Sequence, residues 1–309
     1  MKATSSYTPG RACVVEQIQI RGDVSYRLRR WLAQESAKGT EQGAPPLLLA
    51  HGWMDIGASF QRFVDTLGAA RDVIALDWRG FGGSKASPRD SFWFYDYYAD
   101  LDAVIDHISP DAPIDLLGHS MGGNIAMVYA GTCPQRIRRL VNVEGFGLAR
   151  TQPAEAPARL AKWLSQLKEP VSIRTFASLE EVTTHLLKRT PRMDEAFATW
   201  LAAQWAERQP DGRWHVMADA AHKHVNPILY RCEEVLAAWG NIEAKVLWVE
   251  GDKADQTSLA GERYSREEFE ARLGTVRALE RLRIDQCGHM VHLEHPDLLA
   301  QAVESFLEA

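Results

Sequence analysis

The sequence predicts an α/β protein: a mostly parallel sheet flanked by helices, with an inserted helical cap. Three observations carry this. Short apolar runs of strand length, such as LLLAHG, DVIALDW, PIDLLG and KVLWVEG, recur along the chain. Apolarity over consecutive residues marks strands buried on both faces, as in parallel sheets. Helical patterns fall between these runs, the alternation that parallel strands and crossover helices require. The alternation then stops at about Leu148 and resumes near Gly240. Between them lie only helix-like segments, punctuated by Pro153, Pro157, Pro170, Pro191, Pro210 and Pro227. The expected division is a core in two parts, 1–147 and 241–309, around a cap at 148–240.

Taken in order, CVVEQIQI and YRLRRWLA read as two amphipathic strands joined at Gly22 and Asp23. EQGAPP breaks the chain before the buried strand LLLAHG. SFQRFVDTL places Phe60, Phe63, Val64 and Leu67 on one helical face. DVIALDW is a strand, YYADLDAVIDHI an amphipathic helix, and PIDLLG and IRRLVNVEG are strands. Helices are expected in PARLAKWLSQL, SLEEVTTHLLK and EAFATWLAAQWAE of the insert. KVLWVEG is a strand again, REEFEARLGTV a helix, LERLRI a strand, and PDLLAQAVESFLEA a final helix with proline in first place.

The chain has 309 residues, 46% apolar and 25% charged, with a formal net charge of −6. That suits a soluble globular protein. Without a basic stripe to neutralise phosphates, a nucleic-acid binder is not expected. The cysteines, Cys13, Cys133, Cys232 and Cys287, form no CxxC pair, so reduced thiols are expected and not a metal knuckle or disulfide framework. MKATSSYTPG lacks the apolar core of a signal peptide, and no segment has the length of a membrane helix. A cytoplasmic protein with no membrane partner is the expectation; the oligomeric state is not legible.

The chemistry concentrates in DLLGHSMGGNIAM, Asp115 to Met127. Its first half reads as strand and its second as small-residue helix. Ser120 sits at the joint with Gly118 and Gly122 two residues to either side. A nucleophile must project from its scaffold, and a sharp strand–turn–helix forces the central residue outward at the cost of backbone strain. Side chains two residues away would collide with the neighbouring strand or helix, so they must be small, and Gly118 and Gly122 meet that demand. The helix N-terminus also aims backbone N–H groups at the site, favouring negative charge.

With these residues the chain resembles the α/β-hydrolase family. HGW at His51–Trp53 stands where the family has its oxyanion loop, and DWRGFGGS, Asp77–Ser84, where it has the loop after the next strand. GHSMGG is similar to its nucleophile elbow and CGHMVHLEHPDLLA to its histidine loop. HGWMDIGASF and the short cap most resemble the serine-hydrolase-like group. The resemblance implies Ser120 as nucleophile and His289 as its base, in the family's chain order of serine, acid, histidine. His289 follows the last predicted strand, behind Gly288. His292 and His295 read as cap or surface residues, His119 as pointing away, and His222 and His224 as surface or pocket-lining residues rather than metal ligands.

The acid has two candidates. The family usually draws it from the loop after the strand read as KVLWVEG, which offers Asp255, and Asp252 nearer the turn. Asp255 is preferred because it sits far enough out to curl back toward the histidine; Asp252 reads as a turn-holder. Glu144 at the end of IRRLVNVE is the rival, since some members, haloalkane dehalogenases among them, use that strand. By the same resemblance the backbone N–H groups of Trp53 and Met121 form the oxyanion hole. Arg79 reads as a tie between loops.

A serine at the elbow, in place of the aspartate of dehalogenating members, points to acyl transfer. The leading expectation is a serine hydrolase cleaving a small carboxylic ester or related acyl compound, with no metal and no organic cofactor. The alternatives are a meta-cleavage-type carbon–carbon hydrolase, favoured by an arginine in the pocket, and a small-molecule receptor that keeps the triad. The tryptophans at 163, 200, 205, 214 and 239 either line an apolar pocket or pack cap against core.

Overall fold

The structure, a computed structural model, describes residues 6–34, 44–88, 91–254 and 264–309. Strands β1 (Val14–Arg21) and β2 (Val24–Trp31) form an antiparallel hairpin. Then come β3 (Leu47–Ala50), α1 (Gln61–Thr66), β4 (Val73–Leu76), α2 (Phe94–Ile108), β5 (Ile114–His119), α3 (Met121–Thr132) and β6 (Ile137–Val143). After the insert follow β10 (Lys245–Gly251), α8 (Arg266–Leu273), β11 (Leu279–Ile284), α9 (Val291–Glu294) and α10 (Pro296–Glu308). Eight strands make one sheet in the order β1-β2-β4-β3-β5-β6-β10-β11. From β4 to β11 neighbouring strands are parallel.

The apolar runs become strands because both faces of the sheet are covered. Leu48, Ala50, Ile74, Leu76, Leu116, Leu140, Val246 and Trp248 pack on one side. Their chain neighbours Leu47, Leu49, Val73, Ala75, Leu117, Val141, Leu247 and Val249 pack on the other. Alternation across the pleat thus divides a continuous apolar run between two helical layers. Truncating one of these leucines to alanine costs about 2–5 kcal/mol. The parallel strands all end on the same edge, where their loops gather, as ligand-binding loops do in open α/β sheets.

The insert contains α4 (Ala156–Gln166), α5 (Leu179–Arg189), α6 (Glu195–Trp205) and α7 (Cys232–Gly240). It departs from the all-helical expectation. Phe176, Val216 and their neighbours form a three-stranded sheet of β7 (Thr175–Phe176), β9 (Trp214–Val216) and β8 (Ala206–Arg208). The helix expected in EAFATWLAAQWAE ends at Trp205, and Ala206 and Glu207 belong to β8. The cause is local. Pro210-Asp211-Gly212 is a turn sequence; Gly212 adopts φ +80° and Gln209 N–H donates to the Arg213 carbonyl at 2.8 Å. Helix α7 packs on α3 so closely that a Cβ on Gly131 would stand 1.8 Å from the Ala238 carbonyl. Trp239 accordingly lies in the sheet's own core. Helices α5 and α6 and the small sheet pack on the core through a cluster that joins Phe176, Phe197, Leu201 and Trp205 to Ile56, after β3, and Leu293 of α9.

Candidate active site

Ser120 occupies the turn between β5 and α3 with φ +51° and ψ −114°. A non-glycine residue pays for such a conformation in strain, and the surroundings must impose it. They do so by closeness: a Cβ on Gly118 would lie 2.4 Å from the Gly122 carbonyl, and one on Gly122 would lie 2.2 Å from the Ala50 carbonyl. Ser120 N–H donates to the Val143 carbonyl of β6 at 2.8 Å. The turn is therefore clamped between two strands, and its hydroxyl faces a cavity.

His289 comes from the loop after β11. Its Nε2 lies 3.0 Å from Ser120 Oγ and its Nδ1 3.0 Å from Glu144 Oε2. A carboxylate can only accept, so Nδ1 carries the proton and Nε2 presents its lone pair to the serine hydroxyl. Glu144 follows β6, the strand beside β5. It adopts φ +60°, and its N–H donates to the Val249 carbonyl at 2.9 Å. Its other oxygen accepts from Gly251 N–H at 2.7 Å. Burial pushes the Glu144 carboxyl above its ordinary range, an effect the hydrogen bond and charge of His289 only partly offset.

Of the expected residues, then, Ser120, His289 and Glu144 stand together. Asp255, the preferred acid, lies outside the described residues. Asp252 accepts from Cys287 N–H at 3.0 Å and pairs with Lys253 at 3.1 Å, holding a turn. Trp53 and Met121 border the same cavity as Ser120. The loop that carries Trp53 is held by His51, which donates from Nδ1 to the Gly52 carbonyl at 2.7 Å and accepts from Trp78 N–H on Nε2 at 2.9 Å. Trp205 of the insert donates to the Met54 carbonyl at 3.0 Å and ties it from the other side. Arg79 spends its guanidinium on Asp100, with both contacts at 2.7 Å.

The reading of His292 needs correction: it is fully buried, not a cap or surface residue. Its Nε2 lies 3.2 Å from Ser59 Oγ and 3.5 Å from Asp55 Oδ2. Sequence reasoning missed this group altogether, because Asp55 and Ser59 belong to HGWMDIGASF, far from His292 in the chain. His119 is also buried, and donates from Nε2 to the His289 carbonyl at 2.9 Å. Among the described residues, the donor set that could hold a metal is Asp55, His119 and His292.

The cavity at Ser120 has a volume of about 530 Å³ and an apolar wall that includes Phe92, Phe94, Phe146, Leu186 and Trp205. His222 and His224 border it. His222 is sandwiched between Phe81 and Phe92, ring centroids 3.8 Å away on each side, and burial pushes its imidazole down to about 3. Of the insert's tryptophans it is Trp205 that lines this cavity.

Comparison with known proteins agrees with this architecture. The profile described as alpha/beta hydrolase fold matches residues 45–296. A serine hydrolase-like protein of Danio rerio is 22% identical over 87% of this chain and 83% of its own length. A probable serine hydrolase of Drosophila melanogaster is 25% identical over 95% of this chain and 91% of its own. Among solved structures, a thioesterase domain from the curacin biosynthetic pathway superposes with a TM-score of 0.80 at 22% identity, covering 95% of this chain and 99% of that one. A Mycobacterium tuberculosis esterase does so at 0.68 and 19%, covering 96% and 92%. No helix among the described residues is long and apolar enough to cross a membrane.

Proposed function

We propose that this chain, which belongs to the alpha/beta hydrolase fold family, is a serine hydrolase acting on a small carboxylic ester or related acyl compound through Ser120, His289 and Glu144. The observation that carries the reading is the pair of 3.0 Å contacts that lines up Glu144, His289 and Ser120 at a strained elbow. A free serine hydroxyl is a weak nucleophile, and this alignment is what activates it. His289 Nε2 takes the hydroxyl proton as Oγ attacks the substrate carbonyl, and Glu144 holds the imidazolium that forms. His289 then protonates the leaving group, and water releases the acyl group by the same steps in reverse order. The N–H groups of Met121 and Trp53 take the role of oxyanion donors, each worth about 3 kcal/mol to such a reaction. The cavity volume of about 530 Å³ suits a small substrate, and its wall an apolar one.

The test is turnover of p-nitrophenyl esters of increasing acyl length, with labelling by a fluorophosphonate. Wild type is expected to turn over a short ester and to carry the label on Ser120. Ser120→Ala is expected to lose activity on the order of 10⁴-fold or more while keeping the fold. Turnover by Ser120→Ala would remove the proposal. A labelled wild type that makes one burst and stops would favour the receptor reading.

One observation favours a second reading. Arg189 borders the cavity, the one arginine or lysine among the described residues that line it, and a guanidinium there suits a substrate carboxylate. A carbon–carbon hydrolase would use it to hold the acid end of a dienol. Faster cleavage of a 2-hydroxy-6-oxodienoate than of any ester, lost in Arg189→Met, would establish that reading instead.

A further inference from the structure

We propose that Asp55, His119 and His292 form a binding site for a divalent transition-metal ion of the zinc class, and that filling it slows the reaction at Ser120. Each of the three offers one donor atom, and the donors lie within 4.8 Å of one another. Asp55 comes from the loop after β3, His119 from the end of β5 and His292 from α9, and all three are buried. Imidazole and carboxylate donors suit zinc, copper, nickel or iron better than magnesium or calcium. Two histidines, a carboxylate and one open position are the ligand count of an accessible zinc site. Asp55 and His119 border the cavity, which provides the entry path.

The hydrogen bonding of the trio also points to a ligand. His119 Nε2 and His292 Nε2 are engaged, by the His289 carbonyl and by Ser59 Oγ. The Nδ1 atoms of both rings are buried without a hydrogen-bond partner. A buried nitrogen without a partner costs about 1–3 kcal/mol; His119 Nδ1, in the ring beside His292 with centroids 4.6 Å apart, is a lone pair that a cation would use, whereas on His292 the donor is Nε2, the nitrogen that faces Asp55. The Asp55–His292 contact of 3.5 Å is already near the separation of two donors on one tetrahedral zinc, about 3.4 Å from bonds of ~2.0–2.1 Å. His119 has to be drawn inward. It directly precedes Ser120 and holds the His289 carbonyl, so its movement disturbs nucleophile and base together.

The experiment uses the whole protein freed of metal with a chelator. Wild type is expected to bind one Zn²⁺ by calorimetry, and to give with Co²⁺ the visible bands of a four-coordinate ion. Asp55→Asn and His292→Asn are each expected to lose the bands and weaken Zn²⁺ at least tenfold, with folding checked by circular dichroism. His289→Ala is expected to keep both, since the site does not use that imidazole. Absence of binding by wild type, unchanged binding by both Asn variants, or loss of binding in His289→Ala would each overturn the proposal. The slowing is read as the ratio of ester turnover with and without Zn²⁺ within each protein: below one-fifth in wild type, near one in the Asn variants. A wild type whose turnover is the same with Zn²⁺ bound overturns the inhibitory part. This last arm alone rests on the serine-hydrolase reading; if no ester is turned over, the calorimetric and cobalt results still decide the site.

Discussion

His289 and His292 stand three residues apart, and each faces a buried carboxylate, yet the two pairs are differently disposed. The Glu144–His289 contact is 3.0 Å, and the far nitrogen of His289 opens on Ser120 and the cavity. The Asp55–His292 contact is 3.5 Å, and His292 has no exposed surface. Their carboxyl groups shift in opposite directions. Burial pushes both up, but at Asp55 the hydrogen bond and charge of His292, the charge of His51 and the Ser59 hydroxyl together win, holding it below the ordinary range. At Glu144 burial wins. A histidine–carboxylate pair thus comes in two settings in this chain. What distinguishes the first pair is that its second nitrogen has a nucleophile in line and room for a substrate beyond it.

The largest expected difference between the two pairs is in rate. His289→Ala is expected to lower kcat/KM for a short ester on the order of 10⁴-fold or more, about as much as loss of the serine, because the two act as a unit. His292→Asn is expected to cost less than about tenfold on the same substrate, since it touches no reacting atom. Comparable losses in the two variants would break the distinction. The acid comes next. Glu144→Gln is expected to cost ~10³–10⁴-fold by presenting the wrong tautomer of the base, whereas Asp255→Asn is expected to stay within about threefold of wild type. If Asp255→Asn is the crippled enzyme, the base takes its partner from the loop after β10, and the pairing described above is not the catalytic one.

The smallest effect concerns a third histidine, which has aromatic rings on both faces where the others have carboxylates. The folded-state value of His222 is pushed down to about 3 by burial, against about 6.5 for an unfolded chain. The unfolded state thus binds the proton first. This contribution to stability is complete above about pH 6.5 and is lost as the pH falls toward 3. His222→Phe is expected to lessen the fall in Tm between pH 7 and pH 4. A residual fall should remain, because burial also lowers His51 and His119. An unchanged pH dependence of Tm in His222→Phe would show that this ring does not titrate with unfolding.

The strands, the elbow and the histidine loop were legible in the sequence, because each is set by local patterning. Consecutive apolar residues require a sheet covered on both sides, and G-x-S-x-G between strand and helix fits one geometry. The hairpin in the insert escapes that reading: Pro210-Asp211-Gly212 is a turn sequence, but Pro210 reads only as a break between helices. Other features were decided only by tertiary structure. Glu144, Asp252 and Asp255 are each an acid just past a strand, and no local pattern ranks them. The parallel register that sets β6 beside β5, and the positive φ that turns Glu144 back under His289, are consequences of sheet order and close packing. The burial of His292 against Asp55 and Ser59 has the same origin. It joins positions 233 and 237 residues apart, a proximity created when the loops of β3 and β11 close over one edge of the sheet.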